Sequence, residues 1–200
     1  VVCDDLTSTD RERALQQLSH YATLLRTWGR KINLVSQADL PDLISLHLIP
    51  CLHLRPPMLT VPHGSIIDVG SGCGLPGLPL AITHPSSTFT LVESRRRRAS
   101  FLRTVVRKLG LANVIIVHGR VEEWTPTEPA DLAIARAVGQ PDAIAELVRH
   151  ALAPGAHSLV TLPPEDTEDG VRPASPPGQL RYSLRALPPP NDVDSGVENK

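Results

Sequence analysis

The stretch Ile66–Ile82, which reads IIDVGSGCGLPGLPLAI, decides the fold. A short apolar strand is predicted at 65–69, a turn follows with glycines at positions 70, 72 and 74, and a helix is predicted over about 75–83. Prolines in the first turn of a helix are tolerated because the first N–H groups have no partner within the helix. Glycine lets the backbone approach a ligand closely. The alternatives for this stretch are a nucleoside-binding site and an ordinary turn.

A carboxylate after the next strand favours the binding site. The apolar strand predicted at 88–93 ends in Glu93, about 20 residues after the turn, where nucleotide-binding folds place an acid for the ribose hydroxyls. A pyrophosphate would normally lie on the helix N-terminus. Leu75 and Pro76 crowd that position with apolar groups, so the sequence favours S-adenosylmethionine over NAD.

The composition is that of one domain without an obvious electrostatic partner. The 200 residues carry 20 basic and 21 acidic side chains, enough chain to bury a core. Three scattered cysteines are typical of a reduced, cytoplasmic protein, and no apolar run has the length of a membrane span. Cys51 and His53 lack further residues at ligand spacing, so no metal is predicted. We expect a monomer.

The N-terminal part is predicted to be a helical cap on the main fold. An apolar stripe at helical spacing predicts a helix over 9–29, with Thr9 and Glu12 at the spacing of a capping box. A second helix is predicted from 39–41 to about residue 53. We therefore expect a cap at 1–60, a core at 61–187 and a disordered tail at 188–200.

The core alternates strands and helices, which predicts a parallel sheet covered on both faces. Further strands are predicted at 113–118, 130–135 and 156–162, and further helices at 96–109 and 141–153. Prolines exclude a helix at 163–178, and 179–187 alternates as a strand. We expect 156–162 to be less protected than 65–69 and 113–118, because no later strand completes the sheet.

A basic run follows the second strand. It consists of Arg95, Arg96, Arg97, Arg98, Arg103, Arg107 and Lys108, with no acid among them. Such a run is commonly a solvated helix face, but clustered cations beside a nucleoside site also bind phosphate backbones. Both interpretations stay open for this helix, and the second assigns Arg95–Arg98 to RNA.

Two other segments follow predicted strands at the same edge of the sheet. Residues 120–124, RVEEW, are placed where an adenine would lie; the alternative is a surface turn. Arg136 follows the fourth strand and carries a permanent charge toward that edge. Its alternative role is a helix-capping ion pair.

With these motifs in view, residues 12–162 resemble the bacterial 16S rRNA guanine-N7 methyltransferase family (RsmG, or glucose-inhibited division protein B). The similar segments are DVGSGCGLPGLPLAI at 68–82, WGRKINLVS at 28–36, His47, FLR at 101–103, RVEEW at 120–124 and ARA at 135–137. The extension of the glycine motif by Leu75, Pro76 and Gly77 is the most specific of them, because ordinary methyltransferases lack it.

The resemblance implies an α/β, Rossmann-like class I S-adenosylmethionine-dependent methyltransferase with an N-terminal helical cap. Its substrate would be a guanine N7 in 16S rRNA or the 30S subunit. No catalytic base is expected, because N7 carries a lone pair and no proton. The turn glycines and the family positions together give this set of cofactor residues: Gly70, Gly72, Gly74, Leu75, Glu93 (in place of a frequent Asp), Val121, Glu122 and Arg136.

The chain also departs from the family pattern. Around His47 the family usually reads Arg-His-x-x-Asp-Ser, whereas this chain has Leu46, Pro50 and Cys51. A Lys-Gly after the fifth strand is replaced by Leu162-Pro163, and 191–200 offers no last strand. These departures leave two alternatives to an active methyltransferase: a relative that binds RNA or ribosomes without turnover, and an NAD-dependent oxidoreductase.

Overall fold

A computed structural model of the protein describes residues 5–136, 140–162 and 181–187. These residues form a six-stranded sheet in the order β3-β2-β1-β4-β5-β6. The first five strands are parallel and the last is antiparallel to its neighbour. The strands are β1 (Ser65–Val69), β2 (Thr88–Glu93), β3 (Val114–His118), β4 (Ala130–Ala135), β5 (Leu152–Thr161) and β6 (Tyr182–Ala186).

Six α-helices accompany the sheet in the described residues. They are α1 (Ser8–Ile32), α2 (Ile49–Leu52), α3 (Arg55–Met58), α4 (Gly77–Thr83), α5 (Arg96–Leu109) and α6 (Pro141–Val148). Short 3₁₀ turns occur at Gln37–Asp39, Val121–Glu123 and Arg149–Ala151, and a π turn occurs at Ile44–Leu48. The alternation predicts this core correctly, and β1, β2, β4 and α5 have the predicted bounds.

The cap differs from its prediction in two ways. The first helix is capped by Thr7, whose side chain accepts from the Asp10 amide, and it continues past Gly29 until Asn33 adopts a left-handed conformation with φ 48°. The predicted capping role of Thr9 is therefore wrong. The predicted helix from 39–41 to about 53 begins later, and the π turn Ile44–Leu48 runs directly into α2. The segment is irregular because Pro50 cannot donate to the carbonyl of Leu46 as a regular helix requires.

Buried apolar side chains cover both faces of the sheet. On one face, cap residues such as Tyr21, Leu25 and Met58 share a continuous cluster with core residues such as Leu78 and Phe101. On the other face, a second cluster is built mainly from β1, β4, β5 and α6. The cap therefore packs directly on the core, and the division near residue 60 stays a prediction.

The sheet edges differ from our expectation. The sequence predicts the strand at 113–118 deep in the sheet, but β3 is an edge strand that pairs with β2 alone among the described residues. Conversely, β5 is paired on both sides, because β6 lies antiparallel against it from His157–Ala186 to Thr161–Tyr182. The reason for expecting weaker protection of 156–162 than of 113–118 is therefore wrong, because among the described residues the outer edge on this side is β6.

The remaining expectations for the chain concern its C-terminal part and the membrane. The predictions for 163–178 and for a disordered tail at 188–200 lie outside the described residues. Within the described ranges, no helix is both long enough and apolar enough to cross a membrane.

Candidate cofactor and RNA site

A cavity of about 470 Å³ opens at the carboxyl ends of β1, β2 and β4, where ligands bind in open parallel sheets. We call it the main cavity. The core contributes Gly70, Ser71, Gly72, Cys73, Leu75, Glu93, Ser94, Arg95, Arg98 and Arg136, and the cap contributes Leu34, Val35 and His47. The structure thus brings together five of the eight predicted cofactor residues with two of the predicted RNA residues.

The glycine turn needs its glycines for two reasons. Gly72 has φ 58° and Gly74 has φ 97°, a region that L side chains rarely adopt. A Cβ on Gly74 would overlap the side chain of Leu78. Gly74 therefore lies close behind the main cavity without lining it, and its role is to let α4 pack against the turn.

Glu93 is held in place by the backbone around it. Its Oε2 accepts from the Gly72 amide at 2.8 Å and its Oε1 accepts from the Arg95 amide at 2.6 Å. The residue is 4% exposed, yet it lines the main cavity. A carboxylate oxygen accepts more than one hydrogen bond, so both oxygens keep capacity for the hydroxyls of a ribose.

A smaller cavity of about 160 Å³ adjoins the main one and shares Gly70 and Ser94 with it. We call it the side cavity. Its other lining residues are Val69, Val92, Gly119, Arg120, Val121, Glu122 and Leu147. The predicted residues Val121 and Glu122 therefore lie beside the glycine turn, as the adenine interpretation of this segment requires.

His150 fixes the wall of the side cavity. Its Nε2 lies 3.0 Å from the carbonyl oxygens of both Val121 and Trp124. Because a carbonyl only accepts, Nε2 carries the proton and donates to both. The 3₁₀ turn that bears Val121 is thus tied to the turn following α6.

Asp68 lies beneath the glycine turn and is fully buried. Its Oδ2 accepts from the Gly77 amide at 3.1 Å, and its Oδ1 has no hydrogen-bond partner among the described residues. Burial raises the pKa of Asp68 to about 7. The carboxyl group therefore links the end of β1 to the start of α4 at an electrostatic cost.

Arg136 is held by the cap. It donates to the His47 carbonyl oxygen, to the His47 ring and to the Cys51 sulfur, at 3.3, 3.0 and 3.1 Å. The alternative of a helix-capping ion pair is wrong, because none of these partners is an acid. Burial raises the pKa of Cys51 to about 12, so the sulfur that accepts this hydrogen bond is a thiol.

The arginines at the start of α5 divide into two groups. Arg95 and Arg98 line the main cavity, whereas Arg96 and Arg97 are exposed outside it. None of the four makes an ion pair within the part of the chain that the structure describes. Positive side chains at a helix N-terminus oppose the helix dipole, so this cluster has a stability cost that an anionic ligand would offset.

Sequence reasoning missed several lining residues. Leu34 and Val35 lie within the family-like segment 28–36, and Ser94 and Arg120 adjoin predicted site residues, so proximity in sequence was the available signal. Leu147 lies in α6, far in sequence from the predicted site residues, so proximity could not have identified it. Among the described residues, no three His, Cys, Asp or Glu side chains are grouped to hold a metal ion.

The sheet order and the glycine turn define the Rossmann-like class I methyltransferase fold. The crystal structure of a SAM-dependent methyltransferase from Aquifex aeolicus has this fold, with a TM-score of 0.50 at 19% identity over 68% of this chain and 76% of that one. The profile described as rRNA small subunit methyltransferase G matches residues 14–167. The chain therefore belongs to the rRNA small subunit methyltransferase G family.

Individual relatives agree with this membership. Ribosomal RNA small subunit methyltransferase G of Methylobacillus flagellatus is 38% identical over 138 residues, which cover 69% of this chain and 66% of that protein. The Serratia proteamaculans protein of the same name is 36% identical over 193 residues, 96% of this chain and 84% of that protein. The chain thus matches between about two thirds and five sixths of the length of these two relatives.

Proposed function

We propose that this protein transfers the methyl group of S-adenosylmethionine to N7 of a guanine in 16S ribosomal RNA. The observation that carries the proposal is the main cavity, in which the glycine turn and Glu93 face the same space as Arg95, Arg98 and Arg136. A nucleoside cradle with a cationic rim is what a methyltransferase of RNA requires.

The chemistry needs positioning rather than proton transfer. S-adenosylmethionine held by the glycine turn and Glu93 would supply an electrophilic methyl group, and the N7 lone pair would form the new N–C bond while the electrons of the S–C bond pass to sulfur. Since N7 bears no proton, no general base is needed. Holding N7 in line with the S–CH₃ bond can lower the barrier by about 7–11 kcal/mol. The residues of this chain therefore act by binding and orienting the two reactants.

The two cavities support a specific placement of the cofactor. The ribose would lie on Glu93, and the adenine would lie in the side cavity against Val121 and Glu122. The amino-acid part would follow the glycine turn past Gly72 toward Leu75. The cap residues that line the rest of the main cavity, Leu34, Val35 and His47, would then be available to the guanine.

The RNA would approach across the start of α5. Arg96 and Arg97 are exposed beside the mouth of the main cavity, where they can contact phosphates without touching the cofactor. The partner would be the 16S rRNA within the 30S subunit. A ribosomal substrate also places the protein in the cytoplasm, and we propose that it acts there as a monomer.

Labelled methyl transfer to 30S subunits tests the proposal. Subunits that lack the family's methyl group should accept label from S-adenosylmethionine, and subunits already methylated should not. Binding of S-adenosylmethionine without any transfer to either preparation would contradict the proposal and would favour a relative without turnover.

A further inference from the structure

The guanidinium of Arg136 belongs to the core but is oriented by the cap. Arg136 follows β4 at the main cavity, while its three hydrogen bonds go to His47 and Cys51 near the π turn. Nη1 donates to the His47 carbonyl oxygen and to the Cys51 sulfur, and Nη2 donates to Nδ1 of His47. A guanidinium has five N–H donors, so two remain for a ligand.

The contact with Arg136 fixes the proton on His47. Arginine only donates, so the Nδ1 atom at 3.0 Å from Nη2 must be an unprotonated acceptor. The proton of the neutral ring then lies on Nε2, which donates to Oδ2 of Asp39 at 3.0 Å. Burial and the charge of Arg136 lower the pKa of His47, which agrees with a neutral ring.

The backbone that carries His47 is irregular. His47 lies in the π turn Ile44–Leu48, a rare conformation that occurs often at functional sites. The side chains of His47 and Asp39 are 17% and 35% exposed, so their hydrogen bond is partly shielded from water, and of the two residues His47 lines the main cavity. An irregular turn that directs one ring nitrogen at Arg136 indicates a role beyond packing.

We propose that Asp39 and His47 are positioning residues that set the orientation of Arg136 in the main cavity. Asp39 holds the His47 tautomer, His47 and Cys51 engage three donors of Arg136, and the remaining two donors face an oxygen acceptor of the bound reactants. The role in methyl transfer rests on the proposed function, whereas the hydrogen-bond chain itself does not.

Two replacements of His47 separate its two contacts. In His47→Asn the amide lies near the position of Nδ1 and can still offer an oxygen to Arg136, whereas in His47→Gln the amide lies near Nε2 and faces Asp39. We expect His47→Gln to lower kcat/KM for methyl transfer by about one to two orders of magnitude, the value of one hydrogen bond to a charged group, and His47→Asn to recover most of that loss. Asp42→Ala, at an exposed acid in the next turn, is the matched control and should leave the rate unchanged.

A double-mutant cycle tests whether Asp39 acts through Arg136. Asp39→Ala should slow methyl transfer in the parent but have no further effect in Arg136→Gln, because the group it orients is gone. If the rate of the double variant is instead reduced by the product of the two single reductions, the proposal is overturned. Equal losses of kcat/KM in His47→Asn and His47→Gln would also overturn it. An Arg136→Gln variant with the parent's rate would overturn it as well.

A spectroscopic readout keeps this inference separate from the proposed function. Proton–nitrogen correlation of the ¹⁵N-labelled protein should show His47 protonated on Nε2, with an Nδ1 signal that shifts in Arg136→Gln. If the parent transfers no methyl group to 30S subunits, the proposed function fails while this result still supports the hydrogen-bond chain. A proton on Nδ1 would overturn the chain whatever the activity.

Discussion

The phenol of Tyr21 in the first cap helix donates a hydrogen bond of 2.7 Å to the carbonyl oxygen of Cys73 in the glycine turn. Tyr21 is fully buried, and burial raises its pKa well above the ordinary value, so the hydroxyl is a permanent donor. The helical cap is thus attached directly to the loop that forms the floor of the main cavity.

Loss of that hydroxyl should loosen the glycine turn. Tyr21→Phe leaves the buried Cys73 carbonyl without its partner, so we expect a loss of about 1–3 kcal/mol in the free energy of unfolding, together with weaker S-adenosylmethionine binding. Urea denaturation and calorimetry measure the two effects. Tyr182→Phe, at an exposed position of β6, is the matched control, and equal behaviour of the two variants would argue against the attachment.

Glu93 should anchor the cofactor. Glu93→Ala removes the carboxylate offered to the ribose and frees two backbone amides, so the dissociation constant of S-adenosylmethionine should rise by one to two orders of magnitude, the equivalent of about 1.5–3 kcal/mol. Calorimetry provides the comparison, with exposed Glu123→Ala as control. If the folded Glu93→Ala variant binds S-adenosylmethionine as tightly as the parent does, the ribose does not lie on Glu93.

The outer arginines should serve RNA and not the cofactor. Changing Arg96 and Arg97 together to Gln should weaken binding to 30S subunits and reduce the slope of log affinity against log salt by about 2, because two phosphates are no longer neutralised. Affinity for S-adenosylmethionine should stay at the parent value. The control is the same change at Arg103 and Arg107, farther along α5, and an identical salt slope in all three proteins would favour a solvated helix face.

Asp68 should make stability depend on pH. Because its pKa is raised from 3.8 to about 7, the folded protein keeps a proton that the unfolded chain releases. The contribution of Asp68 to the free energy of unfolding is therefore complete below about pH 4 and is lost as the pH rises through 7. The free energy of unfolding of Asp68→Asn, relative to that of the parent, should therefore rise by on the order of 2–4 kcal/mol between pH 4 and pH 8.

The comparison of the two proteins isolates Asp68 from other titrating groups. His84, for example, has a pKa lowered to about 4 by burial, and it gives the opposite slope in both proteins. Denaturation of the parent, Asp68→Asn and the exposed control Asp42→Asn at a series of pH values measures the difference. If the free energy of unfolding of all three proteins depends on pH in the same way, Asp68 does not have the raised pKa assigned to it.

Local patterns predict the sheet and the position of the cavity. Apolar runs bounded by glycine, proline or charge fix β1, β2 and β4, and the spacing from the glycine turn to Glu93 places that carboxylate at the main cavity. These features depend on neighbours in sequence, so one chain is enough to recognise them.

Patterns among neighbouring residues cannot predict contacts between residues that are far apart in the sequence. Tyr21 and Cys73 are 52 positions apart, and His47 and Arg136 are 89 apart; no periodicity links such pairs. The π turn in the second helical segment shows a related limit, because helical spacing around Pro50 does not reveal which backbone groups the tertiary packing will satisfy. The edge position of β3 likewise follows from strand order and not from the apolarity of the strand.

The most direct test of the central claim is to locate the methyl group in the product. We predict that 16S rRNA from undermethylated 30S subunits, after reaction with labelled S-adenosylmethionine, carries one labelled methyl group at N7 of a single guanine, detected by borohydride reduction and aniline cleavage at that nucleotide. The label should be strongly reduced with the Glu93→Ala variant. Label on another atom or base, or no label despite cofactor binding, would contradict the account.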